Sequence, residues 1–223
     1  MNNDIKITIY NETPDDQTMV VFNQDTEING MFTKIFPTAW QQIPLGGLSS
    51  AEAGAGNASY NVFYYPIEMQ VGVSEHNTPY SPNERTTTRS CLLNSKWDFS
   101  ITGDYQHLSL RDDVNVDGTI SCYNKSAKKV DISICKNSKP VIVYRGQDGN
   151  GVCQGDAANL QITPKLYIMY ASEMISTTLF NSYISSNEVV ELDLTNTKEI
   201  DVRLTVADPI SGLKKWVISR RES

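Results

Sequence analysis

Residues 60–75 read YNVFYYPIEMQVGVSE. In the second half Ile67, Met69, Val71 and Val73 alternate with Glu68, Gln70, Gly72 and Ser74. A period of two is the mark of a strand with one face in a core. The first half is aromatic, with Tyr60, Phe63, Tyr64 and Tyr65 running into Pro66. The stretch reads as one long core strand whose entry is packed with rings.

Strand patterns of the same kind extend in both directions. Ile5, Ile7 and Ile9 alternate with Lys6, Thr8 and Tyr10, and residues 19–24 follow a polar turn. The two stretches read as a hairpin. Trp40 sits in a short strand as a core ring. Residues 93–102 and 106–112 read as a strand pair around Gly103-Asp104. Residues 116–124, opened by the Asp117-Gly118 turn signal, and residues 130–137, 140–146, 165–171, 188–194, 199–208 and 214–221 complete the set, and residues 140–146 are apolar on both faces. Residues 44–59 and 76–90 read as long exposed loops rich in Gly, Ser or Pro. No helical period and no internal repeat at a fixed period is evident. The expectation is an all-β fold, a single antiparallel β-sandwich of Greek-key type over residues 1–223, with about ten to twelve strands.

A chain of 223 residues can bury a core without staples. Its net charge of −7 disfavours nucleic acid, whose backbone needs clustered Lys and Arg. It also disfavours purely electrostatic adhesion to anionic membranes. No stretch is apolar and long enough for a transmembrane segment. The first residues lack a basic segment followed by an apolar one, so a cytoplasmic location is expected. Cys91, Cys122, Cys135 and Cys153 show no C-x-x-C spacing and are expected as free, mostly buried thiols. Cys122 and Cys135 flank an expected hairpin that would set them face to face.

Asp113, Asn115 and Asp117, followed by Gly118, match the opening of a calcium loop, with an oxygen side chain at every second residue. The same alternation suits a polar strand face ending in an Asp-Gly turn. A two-His, one-carboxylate iron site would need both His76 and His107, but no H-x-D or H-x-E spacing supports it, and they read as partly exposed polar residues. No serine elbow or phosphate loop is present. Tyr60, Tyr64, Tyr65 and Tyr80 cluster beside flexible loops and are the candidate ligand-binding residues, since exposed rings can hold lipid head groups or glycans. Asn11-Glu12-Thr13, Asn57-Ala58-Ser59 and Asn124-Lys125-Ser126 fit glycosylation acceptors.

Three stretches carry a resemblance. They are Ala39-Trp40, then Phe63, Tyr65-Pro66 and Met69-Gln70-Val71, and finally Pro164-Lys165-Leu166-Tyr167 ahead of Glu173. Together they resemble a group of small uncharacterised bacterial and fungal β proteins, some labelled ring-opening dioxygenases. The matched residues are of core type, so the resemblance implies a shared fold and no catalytic set. At the level of fold the chain is also similar to actinoporin-like and aegerolysin lipid-binding proteins. The functional expectation is a non-enzymatic protein that binds a ligand or self-associates. The alternatives are a membrane-binding pore-forming toxin and a metal-dependent enzyme.

Overall fold

The structure is a computed structural model and describes residues 4–23, 34–48, 58–77, 86–171 and 189–222. Tyr80 and most of the 44–59 loop lie outside the described residues. The first strands in order are β1 (Ile5–Glu12), β2 (Gln17–Phe22), β3 (Ile35–Pro37), β4 (Gln41–Leu45) and β5 (Ser59–Tyr65). Next come β6 (Met69–Glu75), β7 (Thr87–Cys91), β8 (Lys96–Thr102), β9 (Tyr105–Leu110) and β10 (Ile120–Asn124). Then follow β11 (Val130–Lys136), β12 (Lys139–Tyr144), β13 (Ala157–Leu160) and β14 (Lys165–Ala171). The last are β15 (Val189–Asp193), β16 (Thr197–Asp208) and β17 (Leu213–Glu222).

The all-β expectation holds. The single sandwich of ten to twelve strands does not, because the described residues form seventeen strands in four sheets. Sheet 1 has the order β17-β16-β1-β5 and sheet 2 the order β15-β14-β2-β4. Sheet 3 has the order β13-β10-β8-β9 and sheet 4 the order β3-β12-β11-β6-β7. Ring contacts join sheets 1 and 2: Tyr170 packs on Trp216, and Trp40, which lies just before β4 and not in a strand, meets Phe63 and Tyr65 edge-on. Thr87 of sheet 4 donates to Gln106 of sheet 3 at 2.5 Å.

The long strand at 60–75 is two strands in different sheets. Pro66 has no N–H to give a ladder and restricts the residue before it, so β5 stops at Tyr65. β6 restarts at Met69 in sheet 4, and Ile67 is exposed between them. Val71 and Val73 are buried as expected. β1 and β2 are likewise no hairpin: β1 pairs with β5 and β16, and β2 pairs with β14 and β4.

The sheet orders reveal an internal repeat that no fixed sequence period announces. In sheet 1, β1 runs antiparallel to β5 and parallel to β16. In sheet 3, β10 runs antiparallel to β13 and parallel to β8. β2 and β11 likewise each lie between two antiparallel neighbours. The strands β1–β9 therefore have counterparts in β10–β17, with β3 as the extra member. Each repeat gives its early strands to one pair of sheets and its late strands to the other. The chain passes between the pairs through residues 66–68 and 161–164, and each passage contains a proline. Sequence marks the equivalence at one place, where Tyr10-Asn11-Glu12-Thr13 answers to Tyr123-Asn124-Lys125-Ser126. Each tyrosine carries an arginine over its ring, Arg203 over Tyr10 at 3.8 Å and Arg111 over Tyr123 at 4.8 Å.

The two asparagines are fully buried. Asn124 Nδ2 donates to Lys128 O at 2.7 Å and Val152 O at 2.8 Å, and its Oδ1 accepts from the Ser126 N–H and hydroxyl. Asn11 repeats this, donating to Asp15 O and Gly46 O and accepting from both donors of Thr13. The N-x-Ser/Thr patterns at 11–13 and 124–126 are thus turn locks, and their side chains are not presented as glycan acceptors. The third pattern begins at Asn57, outside the described residues.

All four cysteines are free, and Cys91, Cys122 and Cys135 are buried while Cys153 is exposed. Cys122 and Cys135 lie on β10 and β11, in different sheets. Burial pushes the Cys91 thiol up to about 11 and those of Cys122 and Cys135 up to about 12. The thiolate is the reactive form. An Ellman titration of the native protein is expected to count one fast thiol, lost in Cys153→Ser, and all four after denaturation.

Candidate functional site

The passages between the sheet pairs, 66–68 and 161–164, border a crevice of about 750 Å³. Ile5, Ile67, Met69, Leu93, Ile162, Pro164 and Leu194 make its walls apolar. Asp4, Asn196 and Lys198 add polar groups. This volume suits a small organic molecule.

One side chain stands apart in this lining. Lys136 ends β11 and is 3% exposed. Its Nζ donates to Pro66 O at 2.7 Å and to Ile67 O at 2.9 Å. It also lies 4.9 Å from the centre of the Tyr65 ring. These contacts tie the end of sheet 4 to the passage that leaves sheet 1. Burial pulls its amine down to about 8. In the other repeat the residue following β2 is Asn23, whose Nδ2 donates to Lys165 O at 2.8 Å. The two repeats thus place a donor at the same position, one on the 66–68 passage and the other on the first residue of β14 just past the second passage, and only one of the donors is cationic.

The four tyrosines expected to bind a ligand do not form one patch. Tyr65 is 4% exposed, lines the crevice and donates its hydroxyl to Asn23 Oδ1 at 3.0 Å. Burial raises its phenol well above the ordinary range. Tyr60 and Tyr64 are more than half exposed, on the opposite face of β5. There Tyr60 packs against Tyr10, and Tyr64 sits beside Lys6, which pairs with Glu199. Alternation along β5 separates them, since neighbouring residues of a strand point to opposite faces. Tyr80 is outside the described residues.

Asp113, Asn115 and Asp117 spend their side chains on the protein's own groups. Asp113 pairs with Lys96 at 2.8 Å and Arg111 at 2.7 Å, and these partners hold its carboxyl down at about 2. Asn115 Nδ2 donates to Thr119 O and Ser121 Oγ. Asp117 Oδ1 accepts from the N–H and hydroxyl of Thr119. The segment is a tied surface loop leading into β10. Among the described residues no group of three or more His, Cys, Asp or Glu side chains is placed to hold a metal ion.

His76 is partly exposed as a residue, but its imidazole is turned inward onto protein groups. Its side chain is 9% exposed, and its Nδ1 lies 2.7 Å from Asp131 Oδ1. Arg145 Nε lies 3.3 Å from the other oxygen of the same carboxylate, and the Arg145 guanidinium also donates to Asn77 O. Gly151 closes over the imidazole with φ of +89°, and a Cβ there would stand 2.7 Å from His76 Cγ. This cluster is packed shut and holds the end of β6 against β11 and the loop after β12.

No family model, curated protein or solved structure matches the chain. No helix among the described residues is long and apolar enough to cross a membrane.

Proposed function

We propose that the protein is a non-enzymatic binding protein that holds a small, largely apolar molecule in the crevice between its two repeats. The supporting observation is the crevice itself, a volume of about 750 Å³ whose walls are more apolar than polar. Such sites orient a ligand through a small number of placed polar contacts.

Self-association through an open sheet edge is less favoured by the charges. β17 is the edge strand of sheet 1 and is exposed along most of its length. Antiparallel pairing of two copies about Val217 and Ile218 would set Lys215 against Arg220 and Lys214 against Arg221. Like charges directly opposite destabilise a pair, and lysines on an edge are a common guard against such pairing.

The test is binding of dodecanol, followed by displacement of the neutral dye Nile red and by calorimetry. The native protein is expected to bind saturably with one site. An Ile67→Asn/Leu93→Asn double variant, altered at two exposed crevice positions, is expected to bind several-fold more weakly while melting normally. No saturable binding by the native protein, or equal binding by the variant, would overturn the reading.

A further inference from the structure

We propose that the molecule held in the crevice carries a carboxylate on its apolar body, and that Lys136 is the counter-ion that receives it. This inference rests on the binding reading above and names the class of ligand.

The argument begins with charge. An ammonium has three N–H donors. Two of those on Lys136 go to the carbonyls of Pro66 and Ile67, which are neutral. The Tyr65 ring adds a π face. Among the described residues no ion pair joins Lys136 Nζ to a carboxylate, although the residue is 3% exposed; Asp4 favours its charge only through space, without a contact. Buried charges in proteins are paired, because an isolated one forfeits its hydration without return. Here the compensation is incomplete and the side chain borders an open, apolar volume. A ligand carboxylate would supply the missing charge and a charge-assisted hydrogen bond.

The second strand of the argument is the repeat. The equivalent position in the other half is Asn23, a neutral donor to a backbone carbonyl. Bracing the chain where it enters the next sheet therefore does not require a cation. The charge at 136 is an addition to that structural task, and it lies on the crevice wall. The other ionisable groups around it are Asp4 and Lys198 in the lining, Tyr65 across the ring contact, and Cys91. The lining thus carries one acidic and two basic side chains, a balance that favours an anion.

Calorimetric titration of dodecanoate and dodecanol into the native protein and into Lys136→Asn tests this. Dodecanoate is expected to bind the variant at least about tenfold more weakly than the native protein. Dodecanol is expected to bind both alike. If dodecanoate loses no more than dodecanol, the carboxylate assignment is wrong and the crevice reading stands. If neither ligand binds the native protein, the binding reading itself fails. Should Lys136→Asn not fold, the native protein alone decides. Its affinity for dodecanoate is expected to fall as the pH rises past about 8, where the amine loses its proton, with dodecanol unaffected. Parallel pH profiles for the two ligands would overturn the assignment.

Discussion

Replacing Asp131 with Asn is expected to cost about 3–5 kcal/mol of stability, read from urea denaturation. Asp131 is 2% exposed in β11, and its carboxylate meets His76 on one oxygen and Arg145 on the other. The amide keeps the shape and removes the charge. A guanidinium whose side chain is 10% exposed would then lie beside a neutral group. Loss of one partner from a buried pair costs far more than the pair is worth as a whole, since the remaining ion keeps its desolvation penalty. The neighbouring pair Lys128–Glu75 is the control. It is as short, at 2.6 Å, but about half exposed on both sides. Glu75→Gln should cost less than about 1 kcal/mol. Equal losses at Asp131 and Glu75 would show that the His76–Asp131–Arg145 cluster does not hold the fold.

The second large effect is expected at the two buried asparagines. Asn11→Ala and Asn124→Ala should each cost about 2–4 kcal/mol, because several buried backbone groups lose their partner together. In Asn124 these are the carbonyls of Lys128 and Val152 and the N–H of Ser126. In Asn11 they include the carbonyls of Asp15 and Gly46 and the N–H of Thr13. Similar penalties at both sites are expected, since each asparagine locks the same turn in its own repeat. Asn→Asp is no conservative change here, because it would aim a carboxylate oxygen at those carbonyls. A near-zero loss at one site would mean that the matching geometry carries unequal energy.

The sequence and the structure agree where the determinant is local. The alternation of Ile5, Ile7 and Ile9 predicts a half-buried strand, and all three are in the core. The Gly103-Asp104 turn joins β8 to β9 as the pattern predicts. Residues 165–171 form a strand with the bounds read from their pattern. Asp208 to Gly212 turns β16 into β17, with Gly212 at φ of +69° where a side chain would be strained. Each of these depends on side-chain period or turn chemistry within a few residues.

The candidate site was not legible in this way. Tyr65 could be named from its ring but not placed, because its burial depends on Trp40 and Asn23, far away in the chain. Lys136 gave no signal, standing in a polar run before Asn137 and Ser138 that suits any exposed turn. Its burial comes from residues 66–68 passing over the end of β11 and from the Tyr65 ring beside its amine. The one sequence clue to the repeat was the recurrence of Tyr-Asn-x-Thr/Ser, which a glycosylation reading absorbed.

Hydrophobic period, proline and turn residues specify the kind of element and the face each strand presents. Pro66 already stood in the stretch at 60–75, and its missing N–H is why that stretch could not remain one strand. Strand pairing, by contrast, is a property of the assembled fold. β1 finds its parallel partner in β16, almost the whole chain away, and β10 finds its own in β8. Partner choice is settled by which buried faces and open edges fit together across the assembled sheets, and that choice brings the two passages and Lys136 to one crevice.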